Sequence, residues 1–467
     1  MFRMKNVKMT EGPILKSVIL YAIPIVLSGF LQILFNAADL AVVGNFADPD
    51  RATAATAAIG ATTSFISLIV NTVMGLATGV NVTLAKSIGA RDDDKSRRIV
   101  HTALLVSLFG GIAVGLVGFL ISPFAMTATN CPESAKAMAI QYMRIYFVGC
   151  PALFVYNFGS AILRTKGDTQ RPLNFLALSG VLNIVLNLIF VTVFHMDAAG
   201  VALATSLSQC LSAFLTVRCL MGQDDVTRLI PSMLRIHKKE LLGIVRYGLP
   251  SGLSTAMFSF ANVQIQSAVN AFGESAVAGS AASGSLESFI GAGITAINAA
   301  TVAFAGQNLG AGNLKRTKKV IFACLFLTLV FTLVMGFGIY LIGDPLYRLY
   351  VPNDDAAIQA ARTRAGIMMT TNFLLGIQNV LGAATQVFGY AFTITIISVV
   401  GVFGGRTLWM NVIYPLFGTL EMVFACYPAS WAVITVANGI ALWIAYRSYQ
   451  KKVLFCDGNE SGCTSHG

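Results

Sequence analysis

Long apolar stretches with few charges recur along the whole 467-residue chain, and they constrain its fold more than any other feature. Only 11% of the residues are charged and 55% are hydrophobic, whereas about 25% are charged in soluble globular proteins. An apolar segment of about 20 residues is long enough to cross the ~30 Å hydrocarbon core of a bilayer as a helix. Continuous runs of this kind indicate helices rather than the short alternating strands of a membrane barrel. The sequence therefore predicts an all-α integral membrane protein.

The positive charges form clusters that lie two apolar segments apart. Because Lys and Arg favour cytoplasmic loops, this spacing predicts twelve transmembrane helices with both termini in the cytoplasm. Topology then accounts for the net charge of +11, and no nucleic-acid partner is predicted. The predicted spans are 14–43, 55–83, 96–121, 135–160, 172–194, 199–220, 241–271, 276–304, 317–342, 357–384, 390–414 and 422–446.

Motifs that recur at a nearly constant offset indicate an internal repeat. Tyr21-Ala-Ile-Pro24 reappears as Tyr247-Gly-Leu-Pro250, and a similar offset maps Arg144 onto Arg364. Because each half holds an even number of spans, both halves enter the membrane in the same orientation. Two homologous six-helix bundles related by a pseudo-twofold axis along the membrane normal are therefore predicted. The predicted parts are an N-terminal bundle (14–220), a cytoplasmic linker (221–240), a C-terminal bundle (241–450) and a disordered tail (455–467).

Polar side chains within the apolar spans are the candidate functional residues, since a charge at the bilayer centre costs about 2.5–3.5 kcal/mol. Gln32, Asn36 and Asp39 are spaced four and three residues apart, so they share one face of the first span. That face is expected to look into the bundle interior or a wet cavity. Asp39 is either a carboxylate that binds and releases an ion or a static partner for a neighbouring hydroxyl or amide.

The C-terminal half offers a different set of charges. The repeat maps Asp39 onto Ile265, so any ion binding by this acid is predicted to have been kept in the N-terminal half. Glu287 is a second candidate acid, for a proton or a cationic drug, or else a structural partner of polar neighbours. Arg406 has no evident equivalent in the other half, and its role is left open, with the balancing of a buried carboxylate as one option.

Aromatic residues, methionines and amides crowd the C-terminal half and suggest a substrate cavity. Polarizable side chains suit varied lipophilic cations through cation–π contacts and adaptable packing. The alternative is that these side chains simply face lipid or a neighbouring helix. The candidate cavity residues are Gln32, Met257, Phe260, Asn262, Gln266 and Phe289.

The sequence carries no signature of an enzyme. The four histidines form no HExxH motif, and no GxxxxGK[ST] motif is present that would bind the phosphates of ATP. The eight cysteines are scattered without metal-binding spacing. We therefore predict no enzymatic activity, no cofactor and no metal site other than one for a coupling ion.

Several motifs together with Asp39 resemble the bacterial type of the multidrug and toxic compound extrusion (MATE) family, and the resemblance covers nearly the whole chain. Two departures, Lys86 where the family usually has glutamine and Thr165 where glycine is common, lie in predicted cytoplasmic loops. The motifs are Gly306-Gln-Asn-Leu-Gly-Ala311 with its weaker twin Ala85-Lys-Ser-Ile-Gly-Ala90, Leu163-Arg-Thr-Lys-Gly-Asp-Thr169 and Tyr427-Pro-Ala-Ser-Trp431.

The resemblance implies that Asp39, on the same helix face as Asn36, is the coupling carboxylate. In archaeal-type members, oxygens at the positions of Asp39, Asn183, Asn187 and Thr205 form a cation site, and the residue at the position of Asn187 is an aspartate. Here this half holds one carboxylate rather than two, so the coupling ion is left as H⁺ or Na⁺. Alternatively, the amides serve as hydrogen bonds between helices, worth about 1 kcal/mol or less each.

These features predict a secondary active antiporter that exports amphipathic, often cationic drugs or metabolites in exchange for H⁺ or Na⁺ by alternating access. It is expected to act as a monomer in the lipid bilayer of the inner or plasma membrane. One alternative is a flippase for lipid-linked precursors or polysaccharides from the same superfamily, which would need a strongly cationic lumen. A non-coupled channel or a membrane scaffold is a further alternative.

Overall fold

The computed structural model describes residues 7–47, 49–128, 131–352 and 354–457, and within them all regular secondary structure is helical, as predicted. The first helices are α1 (Ile14–Phe46), α2 (Pro49–Gly89), α3 (Asp93–Ala128), α4 (Glu133–Val148), α5 (Cys150–Thr165), α6 (Gln170–Leu188), α7 (Asp197–Met221) and α8 (Lys238–Asn270). The remaining helices are α9 (Glu274–Gly310), α10 (Leu314–Leu341), α11 (Gly343–Arg348), α12 (Asp355–Val387), α13 (Ala391–Ser398), α14 (Gly405–Leu408), α15 (Tyr414–Phe417) and α16 (Leu420–Asp457). Residues 458–467, most of the predicted tail, lie outside the described residues.

The membrane-crossing helices agree with the predicted all-helical membrane fold. In the described chain, ten helices are long and apolar enough to span a bilayer, or eleven if α4 and α5 form one span. These two helices meet at a bend of 47°. The bend has a local cause, because Pro151 has no N–H to donate to the carbonyl of Phe147. With α8, which at 33 residues is long enough but too polar to be counted with the others, the helices make up the predicted twelve.

The first compact unit comprises the residues up to Thr255. Within it α3 packs against α4 and α5, and α6 packs against α1 and α7. Its core includes Leu84, Ile99 and Ile162, none of which is more than 1% exposed. This packing brings α1, α6 and α7, which carry the predicted ion-coupling residues, next to one another.

Two pairs of glycines bring α2 and the beginning of α8 into close contact. Gly75 and Gly79 on α2 face Gly248 and Gly252 on α8, and in each helix three residues separate the two glycines. A Cβ atom on Gly75 would lie 2.6 Å from the Cα of Gly252, and one on Gly79 would lie 2.7 Å from the amide nitrogen of Gly248. Small residues at this spacing allow membrane helices to approach closely. The beginning of α8 is therefore tied to the first unit.

The linker predicted at 221–240 also packs on the first unit. His101 Nε2 on α3 accepts a hydrogen bond from the backbone N–H of Ile230 at 3.1 Å. The backbone N–H of His237 donates to Thr102 Oγ1 at 3.1 Å. Consequently the boundary between the two compact units falls after Thr255, inside α8, rather than in the linker.

The second compact unit begins at Ala256. Its α12 packs against α9, α10 and α16, and Phe424 and Trp431 of α16 lie in its core. The span formed by α13, α14 and α15 is irregular, because π-helical segments at Val399–Gly404 and Trp409–Ile413 interrupt it. Such widened turns are rare and are frequently found at functional sites.

Gly79→Ala is expected to destabilise the contact between α2 and α8. The added methyl group meets backbone atoms of Ile244 and Gly248, which cannot move without separating the helices. Overpacking of this kind costs about 1–3 kcal/mol, or about 2–4 °C in melting midpoint per kcal/mol for a unit of this size. Thermal unfolding of the protein in detergent measures the effect.

The matched control is Gly60→Ala on the same helix, where an added Cβ has nothing within 4 Å. Alanine is the better helix former, so the midpoint of this variant should stay equal or rise slightly. Equal midpoints for the two variants would contradict the close contact.

An ion pair at Asp225, near the beginning of the linker, leads to a second prediction. Lys166 Nζ lies 2.6 Å from Asp225 Oδ2, and Thr227 also hydrogen-bonds this carboxylate. Burial acts to raise the pKa of Asp225, but these hydrogen bonds outweigh it and leave the pKa lowered. The stabilisation is therefore complete above the unfolded value of about 3.9 and is lost as pH falls through the lowered pKa.

Asp225→Asn should mimic the acid form at every pH. Because the pair is partly exposed, its loss is worth about 0.2–1 kcal/mol, so trypsin cleavage after Arg228 should accelerate by about 1.4- to fivefold. The neighbouring exposed Asp224→Asn serves as the control and should leave cleavage unchanged. Equal cleavage of the wild type and the Asp225→Asn variant would show that the ion pair does not hold the linker.

Candidate functional site

The contact between α1 and α6 places Asp39 beside the polar residues of α6. Phe35 on α1 packs against Gly180 on α6, where any Cβ would overlap the phenyl ring. Asp39 follows Phe35 by one helical turn, and Asn187 follows Gly180 by about two turns. Residues at these spacings share a helix face. The glycine therefore lets the two helices approach at the level where their polar side chains meet.

Four of the predicted ion-coupling side chains form one hydrogen-bonded cluster, here called the Asp39 cluster. Asn187 Nδ2 donates to Asp39 Oδ1 at 2.5 Å and to Asn183 Oδ1 at 3.3 Å. Asn183 Nδ2 in turn donates to Thr205 Oγ1 at 3.3 Å, and the Thr205 hydroxyl is hydrogen-bonded to Asp39. The cluster thus connects α1, α6 and α7.

The interior of the Asp39 cluster contains an acceptor that is not satisfied. Asn187 is 0% exposed, and its Oδ1 atom has no hydrogen-bond partner among the described residues. Buried amide oxygens are almost always paired, so this one is available to a donor or a cation. An ionised Asp39 accepts from Nδ2, whereas a proton or cation on Asp39 can be shared with Oδ1. The asparagine is chemically suited to both states of the acid.

Two predicted residues do not join the Asp39 cluster, and two residues outside the predicted set lie near Asp39. Gln32 and Asn36 are exposed, and no described hydrogen bond joins either one to the Asp39 cluster. Tyr142 and Tyr146 of α4, both largely buried, lie within electrostatic reach of Asp39. These tyrosines were not among the predicted site residues, although two tyrosines one turn apart within an apolar span indicate a polar face that could have identified them.

A cluster centred on Arg406 lies in the second unit. Arg406 is 0% exposed, its Nη1 donates to Asn262 Oδ1 at 3.0 Å, and its Nε donates to Ser430 Oγ at 3.3 Å. The guanidinium also lies 4.3 Å from the ring centroid of Tyr427 and 4.8 Å from that of Phe258. We call these five residues the Arg406 cluster. No acid of the described chain forms an ion pair with Arg406.

Glu287, the second candidate acid, is paired with Arg364. The Arg364 Nη2 atom lies 3.0 Å from Glu287 Oε2, and Nη1 donates to Ser280 Oγ at 2.7 Å. Both charged side chains are 16% exposed. A proton or drug bound at Glu287 would have to compete with this pairing, so that role stays a prediction.

The predicted substrate-cavity residues fall in both units. Gln32 belongs to the first, and Asn262 joins the Arg406 cluster in the second. Phe260 is 49% exposed, and Gln266 bonds to Asn270 of its own helix. Met257 and Phe289 are half-buried, and a shared cavity stays a prediction.

The described residues include no group of three or more His, Cys, Asp or Glu side chains that could hold a metal ion. A Na⁺ site would use a different donor set. One carboxylate, two amide oxygens and one hydroxyl are the hard oxygen donors that the Asp39 cluster brings together.

The MatE family profile matches the chain twice, over residues 24–189 and 250–408. The two matches begin at Pro24 and Pro250, which the internal repeat already identified as equivalent positions. A duplicated domain predicts such a double match.

Relatives and solved structures are similar over most of the chain. The probable multidrug resistance protein YpnP of Bacillus subtilis is 32% identical over 394 residues, which cover 82% of this chain and 86% of that protein. A FAD transporter of Shewanella oneidensis is 26% identical over 304 residues, covering 64% of this chain and 67% of that protein. The crystal structure of a MATE protein in complex with MaL6 superimposes with a TM-score of 0.84 at 22% identity, covering 98% of this chain and 100% of the other.

The short hydrogen bond from Asn187 to Asp39 predicts an effect on thermal stability, which can be measured without a transport assay. The variant Asn187→Leu leaves the Asp39 carboxyl group without its shortest hydrogen-bond donor. Hydrogen bonds to charged groups are worth about 1.5–3 kcal/mol, so the melting midpoint in detergent should fall by several degrees.

The double variant Asp39→Asn with Asn187→Leu provides the control in a mutant cycle. Because a neutral amide at position 39 needs the donor less, the second substitution should cost markedly less in this background. Simply additive losses would show that the two side chains are not coupled.

Proposed function

The chain belongs to the MATE family, and from this premise we propose that it is a secondary active antiporter driven by H⁺ or Na⁺. Like its family it is a multi-pass transporter of drugs or metabolites in the lipid bilayer, and its bacterial relatives place it in the plasma membrane. The proposal adds that it exports small amphipathic, often cationic compounds by alternating access. It further holds that the protein acts as a monomer, without cofactor or nucleic acid, with both termini in the cytoplasm.

The Asp39 cluster is the observation that carries this proposal. A carboxylate placed in a membrane helix is costly unless it has partners and a use. Here one acid faces a hydroxyl and an amide with an unpaired buried oxygen, so it can release an ion into one state and bind it in another. Asp39 is accordingly assigned as the coupling residue, with Asn183, Asn187 and Thr205 supplying the remaining oxygens.

The driving force is sufficient for useful export. One elementary charge that crosses 100 mV releases about 2.3 kcal/mol, which corresponds to roughly a fifty-fold substrate gradient. The ion and the substrate must favour opposite states of the transporter for this energy to be used.

Helix α1 contains a proline, at which it can bend when the occupancy of Asp39 changes. Pro24 lies inside the helix and has no N–H to donate to the carbonyl of Leu20. One turn later, Ser28 Oγ donates a hydrogen bond to the carbonyl of Pro24 at 2.8 Å, which leaves the carbonyl of Leu20 without its helical donor. A helix weakened there can bend at low cost, so occupancy of Asp39 can change the direction of the helix beyond the proline.

Asp39→Asn should abolish gradient-driven transport while leaving the fold intact. The amide keeps the hydrogen bonds but cannot exchange a proton or neutralise Na⁺. The measurement is uptake of a fluorescent organic cation into proteoliposomes, with a pH gradient and a Na⁺ gradient imposed separately. The gradient that drives uptake in the wild type identifies the coupling ion.

Glu133→Gln is the matched control, since this acid is 86% exposed and its removal should leave transport unchanged. Wild-type uptake that needs no ion gradient would indicate a channel. Movement of a labelled lipid in place of the dye would indicate a flippase. Coupled uptake that survives Asp39→Asn would remove the assignment of Asp39.

A further inference from the structure

The second unit buries a positive charge that the coupling mechanism does not use. Arg406 is 0% exposed, and its Nη2 atom is buried with no hydrogen-bond partner among the described residues. Arginine stays protonated in proteins and carries five donors, so an unmatched guanidinium inside a membrane protein is costly. A bound anion would supply both the missing charge and the missing acceptor.

The surroundings hold the guanidinium in place without neutralising it. Asn262 Oδ1 and Ser430 Oγ occupy Nη1 and Nε, and the rings of Tyr427 and Phe258 lie 4.3 and 4.8 Å from the guanidinium carbon. Every one of these partners is formally neutral. The contacts therefore fix the orientation of the planar guanidinium group and leave its Nη2 atom as a free donor.

The neighbouring charges do not cancel that of Arg406. Glu287 acts on it electrostatically, but this carboxylate forms its ion pair with Arg364. Tyr427 lies within reach of both guanidinium groups, and the Nε of Arg364 is also buried without a partner. Two arginines and one glutamate leave the region with a net positive charge.

The backbone that carries Arg406 has an unusual form. Arg406 lies in the single α-helical turn Gly405–Leu408, between the π-helical segments Val399–Gly404 and Trp409–Ile413. Wide turns of this kind change the direction of side chains and are frequent at binding sites. Asn262 and Phe258 next to the guanidinium are only half-buried, which gives a route toward it.

A polar contact joins the first and fifth spans in each unit, but the two contacts use different positions of the repeat and opposite charges. In the first unit, Asn187 on the fifth span contacts Asp39 on the first span. In the second unit, Arg406 on the fifth span contacts Asn262 on the first span. The charged residue is thus an acid on the first span of one unit and an arginine on the fifth span of the other.

We propose that the Arg406 cluster binds the anionic group, a carboxylate or a phosphate, of a transported compound. The inference rests on the proposed export function and extends its substrates to amphipathic anions and zwitterions. The planar fork of Arg406 favours an oxyanion, since carboxylate and phosphate oxygens match its donors. Arg364, which lies within electrostatic reach of Tyr427, adds positive charge for the same group, while the Tyr427 hydroxyl donates to Asn262 Oδ1 at 3.3 Å.

The test compares two dyes that differ only at one group. A rhodamine with a free carboxylate and the methyl ester of the same dye are titrated onto the purified full-length protein in detergent, with fluorescence polarisation as readout. The wild type should bind the free acid more tightly than the ester by about tenfold, equivalent to about 1.4 kcal/mol. Benzoate and phenyl phosphate as competitors distinguish a carboxylate site from a phosphate site, whereas benzylammonium should not compete.

Variants locate the effect at Arg406. Arg406→Gln should lose about tenfold in affinity for the free acid and leave the affinity for the ester unchanged. Arg406→Lys keeps the charge without the planar fork, so it should retain part of the preference. The control Arg362→Gln removes an arginine of the same unit whose side chain is 62% exposed, and it should bind both dyes like the wild type.

Each outcome bears on the proposal. A wild type that binds acid and ester equally overturns it, and this comparison needs no variant to fold. Equal loss of both dyes in a well-folded Arg406→Gln protein also overturns it, because Arg406 would then be structural. Binding requires no ion gradient, so Asp39→Asn should keep the preference for the acid. If the preference is present but no gradient drives uptake, the antiport proposal fails and the anion site stands.

Discussion

A polar group inside a membrane protein must be matched by the protein itself, because the surrounding hydrocarbon offers no hydrogen bonds. The bond between Asn187 on α6 and Asp39 on α1 meets this requirement, and it joins the two helices that carry most of the polar cluster of the first unit. Gly180 lets Phe35 lie against α6 so that the two polar side chains come within reach. This bond uses the Nδ2 atom of Asn187 and leaves its Oδ1 atom unpaired. The acid therefore has a donor, and an acceptor beside it is still available to a cation.

The two units each join their first and fifth spans through a charged residue and an asparagine, but they place opposite charges at different positions. In each of them the fifth span contacts the first span through an asparagine, and the charged partner is an acid in one and an arginine in the other. A duplicated domain begins with two identical copies, and here the position of Asp39 is held by Ile265 in the second copy, which has its own charge at Arg406. Under the proposed antiport, the Asp39 cluster would bind the driving cation and the Arg406 cluster the anionic part of a substrate.

Much of the fold could be predicted from the sequence, and the reasons are local. An apolar run long enough to cross the bilayer can only be a helix, so the spans could be placed without knowing their neighbours. The candidates Asp39, Asn183, Asn187 and Thr205 were also within reach, since each is a polar residue in an apolar run and the family resemblance grouped them. The bend at Pro151 and the glycine pair between α2 and α8 were not predicted, because each depends on which helices pack together.

The sequence by itself determined that this chain is helical, spans a membrane and repeats itself, because hydrophobicity and spacing act along the chain and need no partner. Only the tertiary structure decided which polar groups are matched. Arg406 meets Asn262, which lies 144 residues away, and Glu287 meets Arg364, which lies 77 residues away. The boundary between the units likewise lies inside α8 rather than in the basic linker. The cost of a buried charge depends on its neighbours in space, and helix packing alone selects those neighbours.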